Sequence, residues 1–309
     1  MIKIACVGDN VVDINYIDGM IHPGGNCVNV AVYCRQMGHQ AAYVGVLADD
    51  ENAKIVTDSL TAFGVDWHMS PVLHGETGRC PCRLVDGERI LSDENDGGLV
   101  KSDPLVLTDE ILEYLKGFDL VHNSCYSYFD EQLYKIKEIG VPLLYDFSTV
   151  WNRDPARLKL VLDSADYVLF SEIETLSEEE NRQMLLDAVD KYGVRLAVMT
   201  MGIKGAFVYD GRKIYEKAPY NVDAGAIDTT GCGDSWISGF ITTYVEIMGR
   251  MKAMKEASDD AFITEADVQD VHEHAVEMAM CMGNLRARAT CRVKGAYPYG
   301  VPIRDPEKG

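Results

Sequence analysis

The sequence predicts an α/β fold with a central, mostly parallel sheet flanked by helices and a small additional β-sheet. Short β-branched or apolar runs alternate with amphipathic segments, which is the pattern of repeated βαβ units. Glycines follow two of the amphipathic segments, at Gly38 and Gly64, where helix ends favour them. Two stretches lack a following helix, and these predict the second sheet.

Six runs predict the strands of the main sheet. In chain order they are Ile2–Val7, Ala41–Val46, Leu120–Asn123, Leu143–Phe147, Tyr167–Phe170 and Leu196–Thr200. The amphipathic segments predict helices at Asn26–Met37, Asn52–Phe63, Glu110–Lys116, Glu131–Ile139, Glu178–Tyr192 and from about Glu265 onward. The two exceptional stretches, Val11–Pro23 and Thr77–Ser92, each contain an Asp-Gly turn and predict hairpin strands that pair with one another.

Composition limits the function classes. The chain has 309 residues, 47% of them hydrophobic, with 29 Lys and Arg against 49 Asp and Glu. The net charge of −20 argues against a nucleic-acid partner, which needs a basic surface. No apolar run reaches the roughly 18 residues of a membrane span, and nine scattered cysteines favour reduced thiols. We therefore expect a cytoplasmic protein with no membrane or nucleic-acid partner.

The strongest chemical signal is the run Asp228-Thr-Thr-Gly-Cys-Gly-Asp-Ser235, followed by the helical pattern Trp236–Ile247. Gly231 and Gly233 let the backbone approach a ligand closely, and a helix start aims free N–H groups at one point, as an anion site requires. Asp234 beside them is suited to accept a proton from an attacking hydroxyl during phosphoryl transfer. Taken alone, these residues are also consistent with an Asp-capped helix after a tight turn.

This run resembles the Asp-Thr-x-Gly-Ala-Gly-Asp signature of the PfkB (ribokinase-like) family of carbohydrate kinases, with Cys232 at the usual Ala position. Three further family signatures are present, and all four occur along the chain in the same order as in the family. The three are Gly24-Gly-Asn-Cys-Val-Asn-Val-Ala31, Thr200-Met-Gly-Ile-Lys-Gly205 and Val293-Lys-Gly-Ala296. The resemblance spans almost the whole chain and implies a ribokinase-like fold and an ATP-dependent kinase. Residues 11–23 and 75–97 would then form a β-sheet lid, and residues 1–10, 24–74 and 98–309 the main domain.

The resemblance also implies the site residues, position by position. Asp234 matches the catalytic base, and the anion hole matches Gly231, Cys232 and Gly233. The sugar contacts would be Asp13, Gly25, Asn26 and Asn29, with helix capping as the alternative role of Asn26. The nucleotide contacts would be Thr200, Gly202, Gly205 and, from the C-terminal helix, Asn284. Arg89 in the lid would reach the substrate or lie on the sheet surface.

Two ion sites follow from the same resemblance. The family's usual Asn-x-x-Glu, tied to Mg²⁺ and phosphate placement, is Ser171-Glu-Ile-Glu174 here, so Glu174 is retained while Ser171 replaces Asn. Mg²⁺ is usually held through water and substrate phosphates, and an indirect role for Glu174 suffices. Asp228 and Thr230 match a monovalent-cation site that some members use, with K⁺ as the candidate ion and a requirement for K⁺ left open.

Further shared residues concern the substrate. The segments Gly8–Ile14, Gly24–Cys34, His74–Thr77 and Asp146–Trp151 resemble the branch of the family that phosphorylates fructosamines such as fructoselysine at the 6-hydroxyl. Asp93, Glu94 and Asp96 would provide an acidic field for such a cationic ligand. The alternatives are a PfkB kinase for another sugar or nucleoside, and a sugar- or nucleotide-binding regulator that has lost catalysis. The sequence does not decide whether the protein forms a homodimer through the lid.

The charge is unevenly distributed. The segment Met278–Arg304 contains no acidic residue, and its basic residues are Arg286, Arg288, Arg292, Lys294 and Arg304. In the family this region closes over the nucleotide. We therefore expect a local basic patch beside the nucleotide in an otherwise acidic protein.

Overall fold

The computed structural model describes residues 1–85, 88–91, 96–220, 225–257 and 262–304, with the backbone alone at 83–85 and 88–91. Its strands are β1 (Lys3–Val7), β2 (Val11–Asn15), β3 (Met20–Gly24), β4 (Gln40–Val44), β5 (Gly78–Val85), β6 (Glu88–Leu91), β7 (Leu120–Ser124), β8 (Leu143–Asp146), β9 (Tyr167–Ser171), β10 (Leu196–Thr200), β11 (Ala206–Tyr209), β12 (Ile214–Lys217) and β13 (Val301–Pro302). Its α-helices are α1 (Asn26–Gln36), α2 (Glu51–Ala62), α3 (Gly98–Ser102), α4 (Asp109–Leu115), α5 (Leu133–Glu138), α6 (Pro155–Leu162), α7 (Glu178–Asp190), α8 (Cys232–Ala257) and α9 (Glu265–Thr290).

The main sheet has the strand order β12-β11-β10-β9-β8-β7-β1-β4. The six strands from β10 to β4 are parallel, while β11 and β12 run antiparallel at one edge. Crossover helices connect the parallel strands, as this pairing requires. The predicted α/β class with a mostly parallel sheet is therefore confirmed.

Alternate residues of the strands face two separate apolar clusters. In β1, Ile4 and Cys6 pack against the cluster formed with α1, α2, α8 and α9, whereas Ala5 and Val7 face the one formed with α4 to α7. Because the side-chain period of a strand is two residues, a strand buried on both faces is apolar throughout. Helices thus cover both faces of the sheet.

The smaller sheet has the order β13-β3-β2-β5-β6. Strand β2 pairs antiparallel with β3 and parallel with β5, from Val11 opposite Gly78 to Asn15 opposite Cys82. The two exceptional stretches therefore do pair with one another. The turn at Asp18-Gly19 places Gly19 at φ 71°, whereas the Asp86-Gly87 turn lies outside the described residues. The exact division into lid and main domain stays a prediction.

Some elements differ from the sequence-based expectations. Strands β11 and β12 and helices α3 and α6 were not predicted, and α8 begins at Cys232 rather than at Trp236. Gly38 and Gly64, at φ 85° and 71°, end α1 and α2 as expected. No helix among the described ranges is long and apolar enough to cross a lipid bilayer.

Candidate active site

The candidate site lies where the carboxyl ends of the parallel strands meet the start of α8. Residues after β1, β8 and β10 reach this edge, and the N-terminus of α1 points into it. Ligands of open α/β sheets bind at this edge, because the loops there are not covered by the helices that pack on the two faces. The fold thus assembles residues that are more than 200 positions apart in sequence.

Asp234 is the buried carboxylate at the centre of this edge, with 8% of its surface exposed. Its Oδ2 accepts a hydrogen bond from Asn29 Nδ2 at 2.8 Å. The other amide atom, Asn29 Oδ1, is buried and has no hydrogen-bond partner in the described part of the chain. A buried acceptor without a hydrogen bond lowers the stability of the fold unless a ligand donates to it. The Nδ2 atom of Asn29 thus holds Asp234, and its Oδ1 atom is placed to accept from a ligand hydroxyl.

Burial raises the pKa of the Asp234 carboxyl well above its ordinary range. The charges of Asp146, Asp9 and Asp13 raise this pKa further, while the hydrogen bond from Asn29 opposes the shift. Burial also raises the pKa of Asp146 to about 6. The site therefore gathers four carboxyl groups that repel one another, an arrangement typical of general bases.

Asp9 and Asp146 organise the predicted sugar side of the site. Asp9 accepts hydrogen bonds from the backbone N–H groups of Asn26 (2.7 Å) and Cys27 (3.2 Å), and so caps α1 in place of its N-cap residue, Gly25. Asn26 does not cap its own helix, and its Nδ2 instead donates to Asp146 Oδ2 at 3.0 Å. The alternative role that the sequence left for Asn26 is therefore wrong.

Gly25 and Asp13 lie beside this network. Gly25 has φ 103°, and a Cβ there would lie 2.8 Å from Asn10 Cα and 2.9 Å from the Asp9 carbonyl oxygen. Only glycine fits such a close backbone approach. A Cβ on Gly24 would lie 2.7 Å from Asp13 Oδ2, which places the Asp13 carboxylate over the start of α1. All four predicted sugar contacts thus surround the same edge.

The glycine turn before α8 is packed on one side and open on the other. Gly231 has φ 71°, and a Cβ there would lie 2.5 Å from the Tyr33 hydroxyl oxygen and 2.8 Å from Ala296 Cβ. A Cβ on Gly233, in contrast, would meet no atom within 4 Å. The Cys232 N–H donates to the Thr229 carbonyl at 3.1 Å, so the predicted anion hole would use the N–H groups of Gly233 and Asp234 in the first turn of the helix, where N–H groups have no partner within the helix.

The predicted nucleotide pocket adjoins this turn. Thr200, Gly202 and Gly205 line it together with Cys232 and Gly233. These residues come from the end of β10 and the start of α8, so the predicted nucleotide loop and anion hole share one cavity. The walls are mainly apolar, as is usual for a nucleotide site.

Asn284 lines the same pocket, but both ends of its amide are used within the protein. Its Oδ1 accepts from Trp236 Nε1 at 2.9 Å, and its Nδ2 donates to the Ala218 carbonyl at 2.7 Å. The side chain therefore fixes the pocket wall, with one donor and one acceptor used within the protein.

The basic C-terminal segment divides into two groups. Arg288 and Arg292, four residues apart and exposed, line the pocket, and neither forms an ion pair within the described ranges. Arg286 points elsewhere, because it packs 5.5 Å from the Tyr33 ring centroid and donates to Gln36. Arg304 lies 3.6 Å from Glu51. The expected basic patch thus consists of two arginines at the nucleotide pocket.

The residues predicted for ions lie on two loops. Ser171 is paired in register with Thr200, and Glu174 follows on an exposed loop. Asp228 is buried, and its oxygens accept from the Thr230 N–H (2.9 Å) and the Gly295 N–H (3.0 Å). Within the part of the chain described, no group of three or more His, Cys, Asp or Glu side chains could hold a metal ion.

Part of the predicted substrate side lies outside the described residues. Arg89 lies in β6, where its backbone pairs with Leu84, but its side chain is outside the described residues, as are Asp93 and Glu94. Asp96 has a local role instead, because it accepts from the N–H groups of Arg79 and Gly98. Asp96 thus connects β5 with the start of α3.

Sequence reasoning did not single out Asp9 and Asp146 as site residues. Asp9 lies two residues after β1 and Asp146 is the last residue of β8, and an acidic residue at the carboxyl end of a buried parallel strand was the signal that could have identified each of them. Their partners, Asn26 and the start of α1, come from a distant part of the chain and are visible only in the fold.

Comparisons with known proteins agree with this geometry. The profile described as "pfkB family carbohydrate kinase" matches residues 3–295. The fructosamine kinase FrlD of Bacillus subtilis (strain 168) is 33% identical over 308 residues, which cover 99% of this chain and 97% of that protein. A fructoselysine 6-kinase of Escherichia coli (strain K12) is 30% identical over 241 residues, which cover 78% of this chain and 88% of that protein.

Solved structures are similar in fold. The ribokinase of Giardia lamblia superposes with a TM-score of 0.77 at 15% identity, covering 100% of this chain and 99% of that one. The Arabidopsis thaliana ribokinase complexed with ribose and ATP gives a TM-score of 0.72 at 21% identity, covering 99% and 97%. The ribokinase-like arrangement of a parallel sheet and a smaller second sheet is therefore confirmed.

Proposed function

The chain belongs to the pfkB family of carbohydrate kinases, and from this premise we propose that it transfers the γ-phosphoryl group of ATP to the primary 6-hydroxyl of a fructosamine such as fructoselysine. The relatives of 33% and 30% identity carry those activities in their names. The observation that carries the proposal for this chain is the acidic predicted sugar side of its site, where burial and the charges of three neighbouring carboxyl groups raise the pKa of Asp234. A protonated secondary amine would neutralise part of that charge, which an uncharged sugar cannot do.

The chemistry follows from the positions of the side chains. Asp234 accepts the proton of the attacking hydroxyl, and Asn29 holds its carboxylate in place. The N–H groups of Gly233 and Asp234 then receive the charge of the transferred phosphoryl group, with the positive end of α8 behind them. Arg288 and Arg292 bind the remaining phosphates at the pocket wall.

Two ions complete the proposal. Mg²⁺, when bound, neutralises phosphate charge during transfer. Glu174, on the exposed loop after β9, would hold it together with substrate phosphates and water, which suits the preference of Mg²⁺ for few protein ligands. The Asp228 carboxylate accepts the N–H groups of Thr230 and Gly295, and Asp228 and Thr230 would hold a monovalent cation such as K⁺, as the family resemblance implies. A fructokinase from Vibrio cholerae O395 is known in a form with fructose, ADP and a potassium ion.

A substrate panel with ADP release as the readout tests the proposal. Fructoselysine and fructosylglycine, which have the amine, are compared with fructose and ribose, which lack it. We expect kcat/KM to be about ten- to a hundredfold higher for the fructosyl amines, since a close charge pair is worth about 1.5 kcal/mol or more. Equal values for fructose would contradict recognition of the amine. Sugar and nucleotide binding without ADP formation from any substrate would instead favour the regulator.

The acid limb of the pH profile depends on Asp234. Its pKa is raised in the folded protein, so activity is lost as the pH falls through a value well above the ordinary range of an Asp. Removing the Asn29 hydrogen bond, which opposes that shift, should move the limb to higher pH. The measurement is log kcat/KM against pH for the unaltered protein and for Asn29→Ala. An unshifted limb would mean that another group controls it.

Arg288 and Arg292 are expected to set the affinity for ATP. Each charge-assisted hydrogen bond to phosphate is worth about 1.5–3 kcal/mol before screening by solvent, so Arg288→Gln or Arg292→Gln should raise the KM for ATP about tenfold and the KM for the sugar little. The rise should be smaller at high salt. Arg304→Gln is the matched control, because Arg304 pairs with Glu51. An equal rise in that control would refute a specific phosphate contact.

A further inference from the structure

Two cysteine thiols meet inside the nucleotide pocket. Cys232 is the first residue of α8, Cys291 follows the last residue of α9, and their sulfur atoms are 2.9 Å apart. Both side chains are half-buried and both line the cavity that contains the glycine turn. Both are free thiols. The proposed nucleotide site thus contains a dithiol that the phosphoryl transfer itself does not use.

Backbone contacts connect this pair to the anion hole. The Cys291 carbonyl accepts the N–H of Ile227 at 2.8 Å, and so supports the loop that leads into the glycine turn. On the other side, the Cys232 N–H donates to Thr229 within that turn. Because both cysteines are held by the same loop, a change in the distance between the sulfurs is transmitted to the N–H groups of the hole.

We propose that Cys232 and Cys291 are a reversible oxidation site, at which a hydroperoxide converts the two thiols to a disulfide and the kinase to a form that binds ATP poorly. The effect on ATP binding rests on the proposed function, whereas the site itself rests on the geometry of the two sulfurs. Small thiols reverse the reaction by thiol–disulfide exchange.

The reaction balances with hydrogen peroxide as the oxidant. The Cys291 sulfur attacks one peroxide oxygen, the O–O bond breaks, and a sulfenic acid and one water are formed. The Cys232 sulfur then attacks the sulfenic sulfur and displaces its oxygen as a second water. Two electrons pass from the two sulfurs to the peroxide. The first step is assigned to Cys291, because burial raises the pKa of the Cys232 thiol and so disfavours its reactive thiolate.

The disulfide would disturb the hole directly. A disulfide bond brings two sulfurs to about 2.05 Å, which draws the first turn of α8 toward the end of α9. A shift of about 1 Å in catalytic groups can cost about a hundredfold in rate. We therefore expect oxidation to reduce activity and ATP affinity about ten- to a hundredfold. A bound nucleotide covers both sulfurs and should slow the oxidation.

The test compares the reduced protein with the same protein after treatment with hydrogen peroxide. Peptide mapping without reductant should show a linked pair of peptides containing Cys232 and Cys291, formed more slowly in the presence of ATP and lost on addition of dithiothreitol. ATP binding, measured by calorimetry, should weaken in the oxidised sample and recover on reduction. These readouts need no sugar, so they test the site even if the substrate panel shows no kinase activity.

Variants separate this pair from the other thiols. For each variant the measured quantity is the ratio of ATP affinity before and after oxidation. Cys291→Ser and, independently, Cys232→Ala should bring this ratio close to one. Cys281→Ser, which removes the half-buried thiol 3.2 Å from Lys217 Nζ, should keep the ratio of the unaltered protein. Absence of the linked peptides, or an unchanged ratio in Cys291→Ser, would overturn the proposal.

Discussion

Replacing Asp234 by Asn is expected to lower kcat by about 10²- to 10⁴-fold, the usual effect of removing a general base. The variant retains the shape of the side chain and an oxygen that can accept the hydrogen bond from Asn29. It loses only the ability to take a proton. ADP release at saturating sugar and ATP measures the effect, and nucleotide binding should change little.

The same substitution should not destabilise the protein. The folded-state pKa of Asp234 is raised, so its ionisation costs stability as the pH rises through that pKa, and at neutral pH a neutral amide removes this cost. We therefore expect the free energy of unfolding, from urea titration at pH 7, to be equal or higher. Asp58→Asn, which removes an exposed partner of Lys54, is the control and should leave kcat unchanged. Near-normal turnover in folded Asp234→Asn would show that another group is the base.

The hydrophobic periodicity and the turn residues of the sequence were sufficient to predict the parallel strands of the main sheet. Strand β10 has the predicted bounds, and the others of the parallel set differ by at most two residues at either end. The edge strands β11 and β12 are short and joined by a turn at Asp210 and Gly211, so they lack the long alternating pattern that marks a strand. Helix α6 was also missed, although its Asp154 cap and Pro155 are a recognisable start.

The site was predicted less completely than the fold. Gly231 immediately precedes α8 and Asp234 lies in its first turn, so the local sequence was enough to predict their positions. Asp9 and Asp146 depend on which strands are neighbours in the sheet, and the contact of Asn26 with Asp146 spans 120 positions. The hydrogen bond between Asn284 and Trp236 depends on how α8 and α9 pack, which no local pattern encodes.

Gly231→Ala and Gly233→Ala are expected to affect different properties, although the two positions are only two residues apart. At Gly231, φ is 71° and an added Cβ would overlap the Tyr33 hydroxyl and Ala296. The left-handed backbone alone costs about 1–2 kcal/mol for a residue with a side chain. We expect Gly231→Ala to lower the free energy of unfolding by at least that amount and to lose most of its activity, because the turn carrying the hole must shift.

At Gly233, an added Cβ would meet no atom within 4 Å, and alanine is favoured in a helix by about 1 kcal/mol. Gly233→Ala should therefore be as stable as the unaltered protein. Its methyl group, however, would enter the open part of the pocket beside the hole, so kcat/KM for ATP should fall by one to two orders of magnitude. Urea unfolding and initial rates on both variants check this contrast. Normal kcat/KM in Gly233→Ala would place the phosphoryl group elsewhere, and normal stability in Gly231→Ala would show that the turn tolerates another conformation.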